Sequence, residues 1–164
     1  MADLPQIMDA NLPMSIDSQT VFPWLSLIVL LPIVGALIMP FLPTQESKNS
    51  NLPRNIALVI LLADFLIVVF AFANLFDPNS ESLQLVERLQ WLPSIGLEWS
   101  LGVDGISAPL VVLSGLITFL SAAASWKVKQ KTRLYFALLL IQASAQALVF
   151  LSQDFLLFFL AWEL

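Results

Sequence analysis

Residues 56–76 read Ile56-Ala57-Leu58-Val59-Ile60-Leu61-Leu62-Ala63-Asp64-Phe65-Leu66-Ile67-Val68-Val69-Phe70-Ala71-Phe72-Ala73-Asn74-Leu75-Phe76, an apolar run broken by a single ionisable side chain, Asp64. At an α-helical rise of about 1.5 Å per residue, this run covers the roughly 30 Å of hydrocarbon in a bilayer. Lipid offers no partner for a free backbone N–H or C=O, so a stretch of this kind predicts a membrane-crossing helix. Three further stretches follow the same rule. Residues 21–43 and 105–126 contain no ionisable side chain, and residues 134–151, the shortest stretch, are uncharged. Residues 155–164 begin a fifth span that covers only about 15 Å, so the chain is expected to break off inside it. The predicted fold is an all-α polytopic transmembrane helix bundle of four full spans and a truncated fifth.

Composition agrees with a bilayer as solvent. Of 164 residues, 59% are hydrophobic and 12% charged, against roughly 25% charged in a soluble domain. The chain has no Cys and no His, so it can supply neither thiolate nor imidazole to haem, zinc or an iron–sulfur cluster, and no disulfide. The formal charge of -5 gives no electrostatic footprint for nucleic acid. There is no Gly-rich phosphate loop, no Ser/His/Asp set, no metal-ligand cluster and no solenoid repeat.

Basic residues fix the expected sidedness, because Lys and Arg stay on the cytoplasmic face. Residues 1–20 hold Asp3, Asp9 and Asp17 but no base, which reads as an exposed acidic leader rather than a cleaved signal. Loop 44–55 has Lys48 and Arg54, loop 77–104 only Arg88, and loop 127–133 Lys127, Lys129, Lys131 and Arg133. Leader and second loop are therefore expected outside, first and third loops inside. Trp24 and Trp126 lie near span ends, where an indole suits the headgroup region, and Pro32 is expected to bend the first helix.

The loop 77–104 carries its own pattern. Leu97-Glu98-Trp99-Ser100-Leu101-Gly102-Val103 alternates apolar and polar, Leu83-Gln84-Leu85 starts similarly, and Pro93-Ser94-Ile95-Gly96 supplies turn residues. This predicts a short external β-hairpin. Two strands alone are marginal in water, so Trp91 and Trp99 are expected to rest on a neighbouring surface.

An ionisable group near the bilayer centre costs about 2.5–3.5 kcal/mol on insertion scales, so it needs a partner, a wet cavity or neutralisation. Asp64 and Glu163 qualify, each nine residues into its span, or roughly 13 Å deep. With all bases assigned to loops, neither has a cation of its own. Hydrocarbon favours the neutral acid and a counter-charge from another helix favours the ion; a carboxyl poised between the two is what a proton relay requires. Glu163 is the leading candidate, with Asp64 an accessory that a hydrogen bond to a neighbouring helix explains equally well. Ser107, Ser114, Thr118, Ser121 and Ser125 fall on one face of the third span. Such a stripe either orients water or bonds carbonyls one turn back while permitting close packing, and the second reading is the simpler. Gln142 and Gln146 sit one turn apart on the fourth span, suited to helix contact or to holding water. The third, fourth and fifth helices side by side would enclose a polar path.

Two segments resemble a known family. Leu101-Gly102-Val103-Asp104-Gly105-Ile106-Ser107, followed by Pro109-Leu110, resembles the segment leading into the third helix of the antiporter-like subunits of respiratory complex I. Ser152-Gln153-Asp154-Phe155-Leu156-Leu157-Phe158-Phe159-Leu160-Ala161-Trp162-Glu163-Leu164 resembles their fifth helix. Leu83-Gln84-Leu85-Val86-Glu87 and Leu97-Glu98-Trp99-Ser100 are similar to the chain 4 branch of the NAD(P)H–quinone oxidoreductases of cyanobacteria and chloroplasts, and the similarity runs from the first span to the last residue. The resemblance implies a proton-translocating subunit in which Glu163 pairs with a lysine on a later helix. It implies no cofactor in this chain, with NAD(P)H or ferredoxin, iron–sulfur clusters and plastoquinone elsewhere in the complex. The implied partners are other membrane-arm subunits, the lipid bilayer, protons and water, and the implied location is a thylakoid or bacterial plasma membrane with the N-terminus on the lumenal or periplasmic side. Such subunits have a dozen or more helices, so a partial sequence is expected. The alternatives are a subunit of a multisubunit sodium/proton antiporter and a purely structural scaffold.

Overall fold

The computed structural model describes residues 22–42, 51–80, 82–92, 96–128 and 130–164. The expected leader, Lys48, Lys129 and the turn residues Pro93, Ser94 and Ile95 lie outside them, as does the side chain of Trp91. Helix α1 spans Trp24–Ile38 and tightens into a 3-10 turn at Met39–Phe41; α2 spans Leu52–Leu75, α3 Ser107–Ala124, α4 Thr132–Leu151 and α5 Phe155–Glu163. Strands β1 (Gln84–Leu92) and β2 (Leu97–Val103) pair antiparallel between α2 and α3. The helices α1 to α4 are long and apolar enough to cross a membrane, so the protein is an integral membrane helix bundle carrying a short hairpin.

Local chemistry sets the helix ends. Pro53 occupies the first turn of α2, where its missing N–H costs nothing. Asp104 and Ser107 form a reciprocal box at the start of α3: Asp104 Oδ1 accepts from Ser107 N at 2.7 Å and from Ile106 N at 3.0 Å, while Ser107 Oγ accepts from Asp104 N at 3.0 Å. This is the capping-box geometry with the acid placed first. Asp154 caps α5 by accepting from Leu157 N at 2.9 Å. Helix α1 stays α-helical across Pro32, whose ring has no N–H for the Ile28 carbonyl. The next carbonyl, Val29 O, takes the buried hydroxyl of Ser144 at 2.6 Å and so ties α4 to α1 beside the proline.

Helix α1 packs along α2 and α4, and α3 closes the bundle against α2 and α4. Gly35 permits the close approach: a Cβ there would stand 2.7 Å from Ile60 Cδ1 and 3.3 Å from Leu140 Cδ1. Small residues serve this purpose between membrane helices, where packing rather than water expulsion drives association. The outward faces carry exposed Leu37, Val59, Leu113, Ile117 and Leu138, as a lipid-facing surface requires.

The hairpin lies against one end of the bundle. Leu101 and Val103 of β2 are fully buried in one core cluster with Leu25, Val111, Leu151 and Leu157. The far edge of β2 is covered by the lead-in to α5, where Gln153 N donates to Ser100 O at 2.8 Å, so no ladder edge is left open there. A bulge separates the pairs Gln84↔Val103 and Glu87↔Leu101, with Leu85 in the left-handed region at φ 52. The inserted residue shifts the strand's alternation and puts Glu87 on the inner face beside Leu101. At the opposite end Arg54 lies 3.6 Å over the Trp126 ring, and Arg133 donates to Pro40 O at 3.2 Å. The hairpin end thus gathers the starts of α1, α3 and α5 and the ends of α2 and α4, and the bases Arg54 and Arg133 mark the other end.

Candidate functional site

Asp64 is the thirteenth of 24 residues in α2, roughly 18 Å from either end of that helix. It is 6% exposed. Its carboxyl borders a cavity of about 10 Å³ at the centre of the bundle, walled by Ser114, Gly115 and Thr118 of α3, Ala143 and Ala147 of α4, and Ile28 of α1. The glycine and the two alanines leave the room, and the volume is at the lower limit for one water molecule. Asp64 Oδ1 has no hydrogen-bond partner among the described residues, an unusual condition for a buried polar atom.

The hydroxyl stripe of α3 bonds mostly to its own helix. Ser114 Oγ donates to Val111 O at 3.0 Å, Ser121 Oγ to Ile117 O at 2.8 Å and Ser125 Oγ to Ser121 O at 2.6 Å. Two hydroxyls of the stripe reach across to α4: Thr118 Oγ1 shares its proton between Ser114 O at 2.8 Å and Gln146 Oε1 at 3.0 Å, and Ser125 Oγ is hydrogen-bonded to Tyr135 Oη at 2.6 Å. Thr118 is buried, while Ser121 and Gln142 are exposed on the chain. Neither lines the cavity, so the structure brings together Asp64, Ser114, Thr118 and Gln146 and leaves Ser121 and Gln142 apart. The cavity is walled by α1 to α4, without α5. Glu163 occupies the last turn of α5, which rests on α4 and β2, and its side chain is exposed on this chain.

A second buried acid escaped the sequence reading. Glu87 of β1 is 8% exposed and caps α1 from outside. Its Oε1 accepts from Leu25 N at 2.7 Å, and its Oε2 accepts from Ser26 N at 2.9 Å and from Ser26 Oγ at 2.6 Å. Trp99 Nε1 of β2 donates to Ser26 Oγ at 2.8 Å, so both strands grip the same helix start. The first turn of a helix presents unpaired N–H groups and partial positive charge, and a carboxylate answers both. The available signal was the sequence around Pro23, which offers no capping side chain where the first span begins. Such a helix end must find its acceptor elsewhere in the fold.

The chain's donor set does not fit an iron–sulfur cluster or haem, since Cys and His are lacking throughout. The fold and its site define a class: a polytopic membrane helix bundle with an acid, Asp64, buried among its spans. Residues 27–152 match the model of the family described as NADH-ubiquinone oxidoreductase chain 4, amino terminus, and the chain belongs to that family. It is 48% identical over 143 residues to "NAD(P)H-quinone oxidoreductase chain 4 2" of Microcystis aeruginosa, covering 87% of this chain and 25% of the relative. It is 52% identical over 147 residues to "NAD(P)H-quinone oxidoreductase chain 4" of Prochlorococcus marinus, covering 89% and 27%. The chain thus spans about a quarter of the length of the curated relatives it matches. Among solved structures, a chain of "Respiratory complex I from Thermus thermophilus with bound NADH" shares the fold at a TM-score of 0.66 and 24% identity, over 85% of this chain and 26% of that one.

Proposed function

We propose that this chain is the N-terminal part of a proton-translocating membrane-arm subunit in an NAD(P)H or ferredoxin:plastoquinone oxidoreductase of the complex I type. Membership in the chain 4 family carries the reading, and acids placed within apolar helices support it, because intramembrane carboxyls mark ion pathways by default. Electrons pass through partner subunits, which hold the NAD(P)H or ferredoxin site, the iron–sulfur clusters and plastoquinone. This subunit carries no redox group and moves protons. Its surroundings are a thylakoid or bacterial plasma membrane, with the hairpin on the lumenal or periplasmic side.

Glu163 is the proposed relay. Its exposure on this chain suits a carboxyl that meets a basic partner on a further helix of the full-length subunit, and that contact tunes which protonation state it holds. The test is Glu163→Gln in the full-length subunit within its complex. Quinone reduction and assembly are expected to persist while proton uptake per electron falls. Unchanged pumping removes the proposal, and loss of assembly alone favours a scaffold role.

A further inference from the structure

We infer that Asp64 is a second proton-holding site of this chain, an interior carboxylic acid bound directly and through one water molecule to the hydroxyls of Ser114 and Thr118 and onward to Gln146.

Hydrogen-bond accounting around the cavity leads there. A hydroxyl has one proton to give. Thr118 shares its one proton between Ser114 O and Gln146 Oε1, and Ser114 spends its own on Val111 O. Both oxygens therefore offer only lone pairs to the cavity they line. An ionised Asp64 is also a pure acceptor, so three acceptors would meet there without a donor. Protonation of Asp64 supplies one O–H and a bound water supplies two more, and the cavity volume of about 10 Å³ matches a single water. The water's two hydrogens then go to the unpartnered Oδ1 and to one of the two hydroxyl oxygens, while the carboxyl proton, on Oδ2, goes to the other.

Charge leads to the same conclusion. No other ionisable side chain lines the cavity among the described residues: α1 contributes Ile28, α3 contributes Val111 and Gly115 beside its hydroxyls, and α4 contributes alanines. A carboxylate in such surroundings has no counterion, and the usual outcome is neutralisation. The Thr118–Gln146 bond extends the chain of polar groups from α2 through α3 to α4. A proton on Asp64 is therefore joined by hydrogen bonds to Gln146 of α4 once the water is in place.

The inference deepens the proposed function, and infrared difference spectroscopy on the full-length subunit in its complex separates the two. The wild type at neutral pH is expected to show a carboxylic C=O stretch that shifts on exchange into D2O and is missing from Asp64→Asn. Thr118→Val, which removes an acceptor without touching the acid, is expected to move that band to higher frequency. The inference is overturned if no band is lost in Asp64→Asn, or if Thr118→Val leaves the frequency unchanged. Should Asp64→Asn not assemble, the Thr118→Val shift and the D2O sensitivity of the wild-type band decide alone. A band present with normal pumping in Glu163→Gln overturns only the proposed function. A band absent with pumping lost in Glu163→Gln overturns only the role of Asp64.

Discussion

At the scale of single residues, three of the buried or capping acids differ in what they face, and their chemistry follows. Asp64 faces acceptors, Glu87 faces two backbone N–H groups and a hydroxyl, and Asp104 closes a helix turn at the membrane edge. The Ser107 N–H first of all holds the Asp104 carboxyl below its usual range; desolvation opposes it, and the Ser107 hydroxyl and the Ile106 N–H add to the lowering. A depressed folded-state pKa means that the ionised cap stabilises the protein above the unfolded value, and that this contribution is lost as pH falls through the folded one. Asp104 is exposed, so solvent screens the effect and it stays modest. Replacing a capping acid by alanine costs about 0.5–2 kcal/mol. Thermal unfolding in detergent is expected to place Asp104→Ala below the wild type at neutral pH, with the gap narrowing as the buffer is acidified below about pH 4. A gap that stays constant or widens on acidification contradicts the capping role.

At the scale of elements, the hairpin works as a clamp on α1. Glu87 reaches Leu25 and Ser26 because the bulge at Leu85 turns it inward, and Trp99 secures Ser26 from the second strand. Gly102 makes room for this arrangement, since a Cβ there would fall 2.7 Å from Leu83 Cδ2. Removing the carboxylate strands two helix N–H groups in a dry site, at about 1–3 kcal/mol for each orphaned donor. Glu87→Ala is therefore expected to lower the unfolding midpoint clearly, and Glu87→Gln by less, because the amide keeps one acceptor oxygen. Equal stability of Glu87→Ala and wild type contradicts the clamp. The elements themselves were legible in sequence because their signals are local: apolar runs of membrane length for α1 to α4, and period-two alternation at 97–103 for β2. The clamp was not legible, because it joins residues about sixty positions apart and depends on a one-residue register shift that no local pattern announces. The candidate site was readable in the same uneven way. Its residue types stood out as polar groups in apolar runs, but which of them share a cavity depends on how α2, α3 and α4 rotate against one another. Asp64, Ser114 and Thr118 meet there, whereas Ser121, one turn beyond Thr118 on the same helix, faces outward.

At the scale of the whole molecule, the bundle has two chemically distinct ends, and their difference sets its orientation in the membrane. One end carries the hairpin, where acids cap the helices: Glu87 at α1, Asp104 at α3 and Asp154 at α5. The other end carries Arg54 on Trp126 and Arg133 on Pro40, with Lys127 and Lys131 in the same turn region of the chain. Bases resist translocation far more than acids do, so the arginine end is expected on the cytoplasmic side and the hairpin outside. These 164 residues hold no cysteine, so a cysteine introduced among them is read in intact vesicles of known sidedness as labelling above that of the unsubstituted protein. Glu98 lies exposed on the hairpin and Gln130 lies exposed between α3 and α4. Single-cysteine variants Glu98→Cys and Gln130→Cys, treated with a membrane-impermeant maleimide, are expected to label from opposite faces: Glu98→Cys from the lumenal or periplasmic side, and Gln130→Cys only when the cytoplasmic face is opened. The opposite pattern inverts the bundle. Labelling of both positions from one side contradicts the helix count between them, since α3 alone separates the hairpin from residue 130 and a single crossing must reverse the face.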